Sequence, residues 1–261
     1  MSVDSTAQIH PSAVIEPGAR IGAGCEIGPF CWIGAHVELA QNVVCTSHVV
    51  IRGQTKVGSD TRIFSFAVIG EIPQDLKFKG EVSQLEIGQR NTIREHVTIN
   101  LGTQGGGGVT SIGDDCLLMA GCHIAHDARL GNRVIIVNSA AIAGHVVIED
   151  DVIVGGLCGV HQFVRLGKGA IIGAVTMVTN DVIPYGLVQA SRGQLDGLNL
   201  VGLKRRGVDR QDITALQPPF RCWRRAKGRF KIVRNDLGRK PTVPMFRKLP
   251  ILFWATAVAP F

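Results

Sequence analysis

An apolar residue returns every six positions through most of this chain. From Ile9 the steps are Ile15, Ile21, Ile27, Ile33, Leu39, Cys45, Ile51, Val57, Ile63 and Ile69. The phase holds at Ile87, Ile93 and Ile99 and slips by one residue. It then runs from Ile112 through Leu118, Ile124, Leu130, Ile136, Ile142, Ile148, Val154, Val160, Leu166 and Ile172 to Val178. Glycine often follows the apolar residue, as in "IGAGCEIGPFCWIGAHVE". A period of six suits neither a helix of 3.6 residues per turn nor a long strand alternating every second residue. It suits an all-β parallel β-helix, a three-sided prism with one short strand per hexad. Three hexads make an eighteen-residue coil, and coils stack at about 4.8 Å, the ordinary spacing of paired strands. Ile and Val are the expected inward residues, because β-branched side chains pack well on a pleated surface.

Two segments interrupt the repeat. Residues near 72–86, including "EIPQDLKFKGEVSQLE" from Glu71, are charged and lack the pattern, and they read as a loop thrown out from one coil. Ile69 and Ile87 are eighteen residues apart, so the coil register is expected to survive it. Residues 101–111 contain "GTQGGGGVTS". Its glycines read as a flexible loop rather than a phosphate cradle, since no strand-to-helix context follows. Long loops on a rigid scaffold commonly carry binding residues.

Composition narrows the classes. The expected domains are the β-helix over 1–190 and a C-terminal region over 191–261. Seven cysteines without CxxC spacing, and an N-terminus "MSVDSTAQIHPSAV" unlike a signal peptide, imply reduced thiols in a cytoplasmic protein. No apolar run approaches the ~20 residues of a transmembrane helix. The net charge of +7 is unevenly placed. Residues 217–261 hold 11 Lys and Arg and one Asp, or +10, which leaves −3 for residues 1–216. A nucleic-acid partner would rest on that tail alone and is not expected.

Titratable groups gather in one stretch of the repeat. His126 plus eighteen is Gly144, and plus thirty-six is Gln162, so His123, His126, Asp127, Gly144, His145, His161 and Gln162 should line one edge within about three layers, ~10 Å. Single histidines in turns are commonly structural. Three successive coils bearing them at matching positions point to a site. Histidine clusters also bind metal, but here the spacing favours acid–base chemistry, in which a neutral imidazole removes a proton from a hydroxyl. No metal or cofactor is expected. Cys122 and Cys158 read as packing residues.

Several stretches then carry a family resemblance over residues 1 to about 216: "GPFCWIG", "FAVIGEIPQDLKFKGE", "IGQRNTIREHVTIN", "HIAHD", "AGHV", "GVHQF" and "GLKRRG". They resemble the acyl-carrier-protein–UDP-N-acetylglucosamine O-acyltransferases, hexapeptide-repeat enzymes that begin lipid A biosynthesis. The resemblance implies a left-handed β-helix, a homotrimer with sites between subunits, and acyl carrier protein and UDP-N-acetylglucosamine as partners. It implies His126 as general base, Asp127 as its orienting partner, and the Gly144 N–H as oxyanion donor. Substrate contacts would come from Gln74, Asp75, Lys77, His123, His145, His161, Gln162, Asn199 and Arg205. Ala174 would bear on acyl-chain length, an alanine there shortening the accepted chain. Neighbouring strand residues point to opposite faces, so pairing His126 with Asp127 requires a corner. The surplus of apolar residues in "RVIIVNSAAIAGHVVIEDDVIVGG" separately suggests a covered outer face, as in an oligomer.

The chain departs from the family at Val201, where an acidic residue is usual, and at Arg192, where a histidine is expected. "VDRQDITALQ" begins like a helix of the family's C-terminal domain. From 217 the Pro-, Trp- and Arg-rich segment loses helical patterning. It reads as a divergent basic tail, a disordered tail or, the reading favoured here, a shifted reading frame. The alternatives to the family's activity are a hexapeptide acyltransferase using acyl-CoA on a small sugar or amine, and a non-enzymatic or zinc-binding β-helix.

Overall fold

A computed structural model describes residues 2–190, 199–205 and 207–215. The chain divides into two compact units, residues 1–191 and 192–261. The first is a left-handed parallel β-helix. Its strands form three parallel sheets of nine, ten and nine strands, one per side of the prism. The chain visits the sides in turn, as Ser2–Val3 on the first, Gln8–Ile9 on the second and Val14–Ile15 on the third. It returns to the first at Arg20–Ile21, where Ser2 pairs with Arg20, eighteen residues on.

The hexad positions are the core. Ile33, Ile51, Ile63, Ile69, Ile93, Ile99, Leu118, Ile124, Ile136 and Ile142 are fully buried. Each such side chain contributes about 1.5–3 kcal/mol when removed from water. Strands of two residues accumulate little of the twist that makes crossovers right-handed in ordinary parallel sheets. The turning is done at the corners instead. Non-glycine residues with left-handed φ stand two positions ahead of the strands, for example Asp115 (58°), Asp127 (59°) and Ser139 (57°).

The two interruptions are insertions at one corner, between the third and first sides. Val57 pairs with Ile87, thirty residues on, so twelve residues are added to that coil (30 − 18). Ile87 pairs with Ile112, twenty-five on, so seven are added to the next (25 − 18). This corrects the expectation for Ile69 and Ile87. They lie on different sides, and their eighteen-residue separation is one hexad step plus a twelve-residue loop. The loops are also shorter than expected, because Gln84–Ile87 and Val109–Ile112 are strands, leaving 72–83 and 101–108. The second loop is folded rather than structureless, with a 3-10 turn at Gln104–Gly106. The two loops are tied together at their roots: the Leu101 N–H donates to Glu71 O at 3.0 Å, and Asn100 Nδ2 donates to Ile72 O at 3.1 Å.

In the second unit, helix α1 spans Leu200–Arg205 and α2 spans Arg210–Ala215, within the "VDRQDITALQ" stretch. The expectations for Arg192 and for the segment from 217 lie outside the described residues. Among the described residues, no helix is long and apolar enough to cross a membrane.

Six cysteines, at 25, 31, 45, 116, 122 and 158, are buried and free. Burial pushes the Cys122 thiol up to about 12 and the Cys116 thiol up to about 11. Thiolates are the reactive form. All six are packed out of reach of solvent, so they should ignore a disulfide-exchange dye in the folded protein and react only on denaturation; reaction of any of them at native rates would contradict the packing.

Candidate active site

Three consecutive coils present Asp127, His145 and Phe163 at the corner where the loops emerge, with φ of 59°, 61° and 66°. The strands that follow stay in register, Arg129 with Val147 and Val147 with Arg165. His126, Gly144 and Gln162 precede the corner residues and stack likewise; the His145 N–H donates to His126 O at 3.1 Å and the Phe163 N–H to Gly144 O at 3.2 Å. The left-handed turn at Asp127 breaks strand alternation. Its carboxylate thereby reaches the imidazole of the preceding residue, with Oδ2 2.8 Å from His126 Nδ1.

Both side chains are buried, His126 at 6% exposure and Asp127 at 3%. A buried carboxylate needs donors, and the second loop supplies them. The Thr103 N–H donates to Oδ1 at 2.8 Å, and the Thr103 hydroxyl to Oδ2 at 2.6 Å. The Asp127 N–H donates to Thr110 Oγ1 at 2.8 Å. An Oδ2 already accepting from Thr103 takes Nδ1 as a further donor, so a neutral His126 keeps its lone pair on Nε2. Among the described residues nothing bonds to Nε2.

Two glycines make room for this pair. A Cβ at Gly106 would overlap the Asp127 carboxyl group, 2.0 Å from its Cγ. One at Gly144 would stand 2.6 Å from His126 Cε1 and 2.7 Å from Nε2. The Gly144 N–H has no partner in the backbone network of the described residues. His145 completes the group: its Nδ1 is 3.8 Å from Asp127 Oδ2, and its ring meets that of His126 edge to face at 5.1 Å. His126, Asp127 and His145 offer ligand atoms within 4.8 Å of one another, a spacing that would also admit a metal ion. Both Asp127 oxygens are already engaged with Thr103 and His126, an arrangement suited to fixing an imidazole.

Two recesses meet at this group. One, of about 400 Å³, runs along the third side and is lined by Gln74, His123, His126, Gly144, His161, Gln162 and Met177, with Ala141, Ala143 and Gly159 as its apolar floor. The other, of about 800 Å³, lies under the loops and is lined by Asp75, Lys77, Phe78, Lys79, Thr103, His145 and Phe163. Each of the expected site residues of the first unit except Ala174 thus sits on the group or one of its recesses. Ala174 is exposed and lines neither recess, while Met177 lines the smaller one. Asp75 accepts the Lys77 N–H at 2.9 Å, which shapes the loop tip. Asn199 and Arg205 belong to the second unit, where Asn199 Oδ1 caps α1 by accepting the Gly202 N–H at 2.8 Å. Burial lowers the His123 pKa, with His126 adding to the effect, and its Nδ1 pairs with Thr98 Oγ1 at 2.8 Å. Sequence reading missed Thr98, Thr103, Thr110 and Gly106. Only Thr98 had a usable signal, the register across the phase slip.

Changing Gly144 to Ala should drive the imidazole off its Asp127 contact. A displacement of about 1 Å costs on the order of 100-fold in rate, while the coil core is untouched. A steady-state turnover measurement beside a denaturation curve checks this, and an unchanged rate would contradict the close approach.

The chain is similar to known proteins over most of its length. Residues 181–248 match the family described as "Udp N-acetylglucosamine O-acyltransferase; Domain 2". Residues 3–35, 12–47 and 110–144 match "Bacterial transferase hexapeptide (six repeats)". The acyl-[acyl-carrier-protein]–UDP-N-acetylglucosamine O-acyltransferase of Paracoccus denitrificans is 63% identical over 187 residues, covering 72% of this chain and 71% of that one. Its Agrobacterium fabrum counterpart is 44% identical over 189 residues, covering 70% of each. A solved UDP-N-acetylglucosamine acyltransferase from Campylobacter jejuni is 42% identical with a TM-score of 0.68, covering 82% of this chain and 83% of that one. The chain belongs to the acyl-carrier-protein–UDP-N-acetylglucosamine O-acyltransferase family.

Proposed function

We propose that this protein moves a 3-hydroxyacyl chain from acyl carrier protein to the 3-hydroxyl of UDP-N-acetylglucosamine, the first step of lipid A biosynthesis. The observation that carries the mechanism is His126, pinned through Nδ1 by a buried, fully engaged Asp127 and open at Nε2. In this reading Nε2 takes the proton of the sugar hydroxyl. The alkoxide oxygen bonds to the thioester carbonyl carbon, and the Gly144 N–H donates to the oxygen that gains charge. The C–S bond then breaks, and the proton passes from the imidazolium to the departing thiolate of the carrier protein, which leaves as the thiol. Oxygen, sulfur and proton all balance without a covalent enzyme intermediate.

The surroundings fit these substrates. Lys77 and Lys79 at the larger recess suit a nucleotide diphosphate. The alanine-lined floor of the smaller recess suits an acyl chain starting at His126. Asn199, Arg205, His123, His145, His161, Gln162, Gln74 and Asp75 are the remaining substrate contacts of the proposal. Ala174 is its determinant of chain length. The donor, the acceptor and the free thiols fit a cytoplasmic site of action.

We also read the protein as a homotrimer. Leu117, Ile135, Ile153, Ile171 and Leu187 stack in register on the outside of the second face. Five aliphatic residues in one outward column form a stripe that another copy would cover. The earlier strands of that face present Gln8, Glu26, Val44, Arg62 and Thr92, of which Val44 alone is aliphatic.

The test is acyl transfer from 3-hydroxyacyl carrier protein to UDP-N-acetylglucosamine. Changing His126 to Ala should lower kcat by about 10²–10⁴, the range of general-base assistance; retention of full activity would end the mechanism. Changing Ala174 to Gly should lengthen the chains transferred, as read by mass spectrometry of the product. An unchanged product distribution would remove that role.

A further inference from the structure

Phe163 is the feature that the proposed reaction leaves unexplained. It is 66% exposed, and it occupies a left-handed corner with φ of 66°, where a bulky residue is uncommon. It contributes nothing to the prism interior. Its ring instead lies flat against His145, with centroids 4.5 Å apart and planes 5° apart. The opposing contacts on His145 are the edge-to-face ring of His126 and the Asp127 carboxylate. The imidazole is thus held between a carboxylate on one edge and a phenyl ring on one face. With Nδ1 turned to Asp127, Nε2 lies on the other ring edge, and His145 and Phe163 both line the recess under the loops.

We propose that Phe163 is a positioning residue: its ring fixes the plane of His145, so that this histidine meets the acceptor sugar nucleotide in one orientation. The inference rests on the reading of His126, Asp127 and His145 as the reaction centre. Stacking is what the corner geometry makes possible here. Positions 145 and 163 are eighteen apart on adjacent coils and share one backbone conformation, so their side chains leave the prism in parallel. An aliphatic residue at 163 would cover the same area without a flat face.

The experiment measures steady-state transfer to UDP-N-acetylglucosamine and thermal unfolding for F163L, F163Y, F163G, H145A and the H145A/F163L pair. F163L should raise the KM for the sugar nucleotide about five- to tenfold, the size expected of one ring pair, with kcat changed less than about twofold. F163Y, which keeps the ring, should restore the wild-type KM. F163G should match F163L in KM, although glycine accepts this φ freely, with an unfolding midpoint no lower than that of F163L. In the H145A background, F163L should have no further effect, because the histidine through which it acts is gone. The proposal is overturned if F163Y fails to restore KM, or if the F163L and H145A effects multiply. It is also overturned if F163L lowers the unfolding midpoint and kcat while leaving KM alone. Full activity in H126A, by contrast, would overturn the reaction centre itself, and the Phe163–His145 coupling would still be readable as a separate result.

Discussion

Everything in this protein depends on in-register parallel pairing at an eighteen-residue interval. A coil cannot bury its three inward residues alone; it does so only by stacking on its neighbours. Within an uninterrupted run of coils, a residue's position modulo eighteen decides which side or corner it occupies. The insertions shift that count without breaking the stack. Twelve residues are added to one coil and seven to the next, and the strands after each insertion still meet their partners side chain for side chain.

The three corners put that rule to different uses. At the corner between the first and second sides, charges alternate: Arg90 binds Asp115 with two contacts of 2.7 and 2.8 Å, and Arg133 binds Asp151 at 2.6 and 3.0 Å. These guanidinium groups hold the Asp115 and Asp151 carboxyls below their usual range. All four groups are exposed, so the ladder adds little to stability. Between the second and third sides, Phe30, His48, Phe66 and His96 form a column of rings about 5 Å apart. The remaining corner carries both loops and the acid–base group. A corner is where adjacent residues can face the same way, and a carboxylate and imidazole one residue apart require that.

Burial explains why the loop and the site form one unit. Asp127 is too deeply buried to stand without donors, and the coil itself offers only Thr110 to its backbone. The side-chain oxygens are served by Thr103, from a loop of seven added residues. Gly106 in the same loop has no room for a side chain against the carboxyl group. The loop is therefore part of the His126–Asp127 assembly, and its Gly106 answers a steric demand.

By itself the sequence determined the coil and the edge on which the histidines gather. Both follow from spacing alone: an inward Ile, Leu or Val every six residues, and 126, 144 and 162 one coil apart. The family was legible in "QDLK", "HIAHD" and "GLKRRG", stretches that the hexad repeat does not itself require. The length of the first insertion was not legible, since twelve is a multiple of six and leaves the phase unchanged, whereas the second, of seven, showed as a slip of one residue. Nor were Thr103, Gly106 or the stacking of Phe163 on His145 legible. Those contacts arise where a loop folds back or two corners superpose, and distances across space decide them.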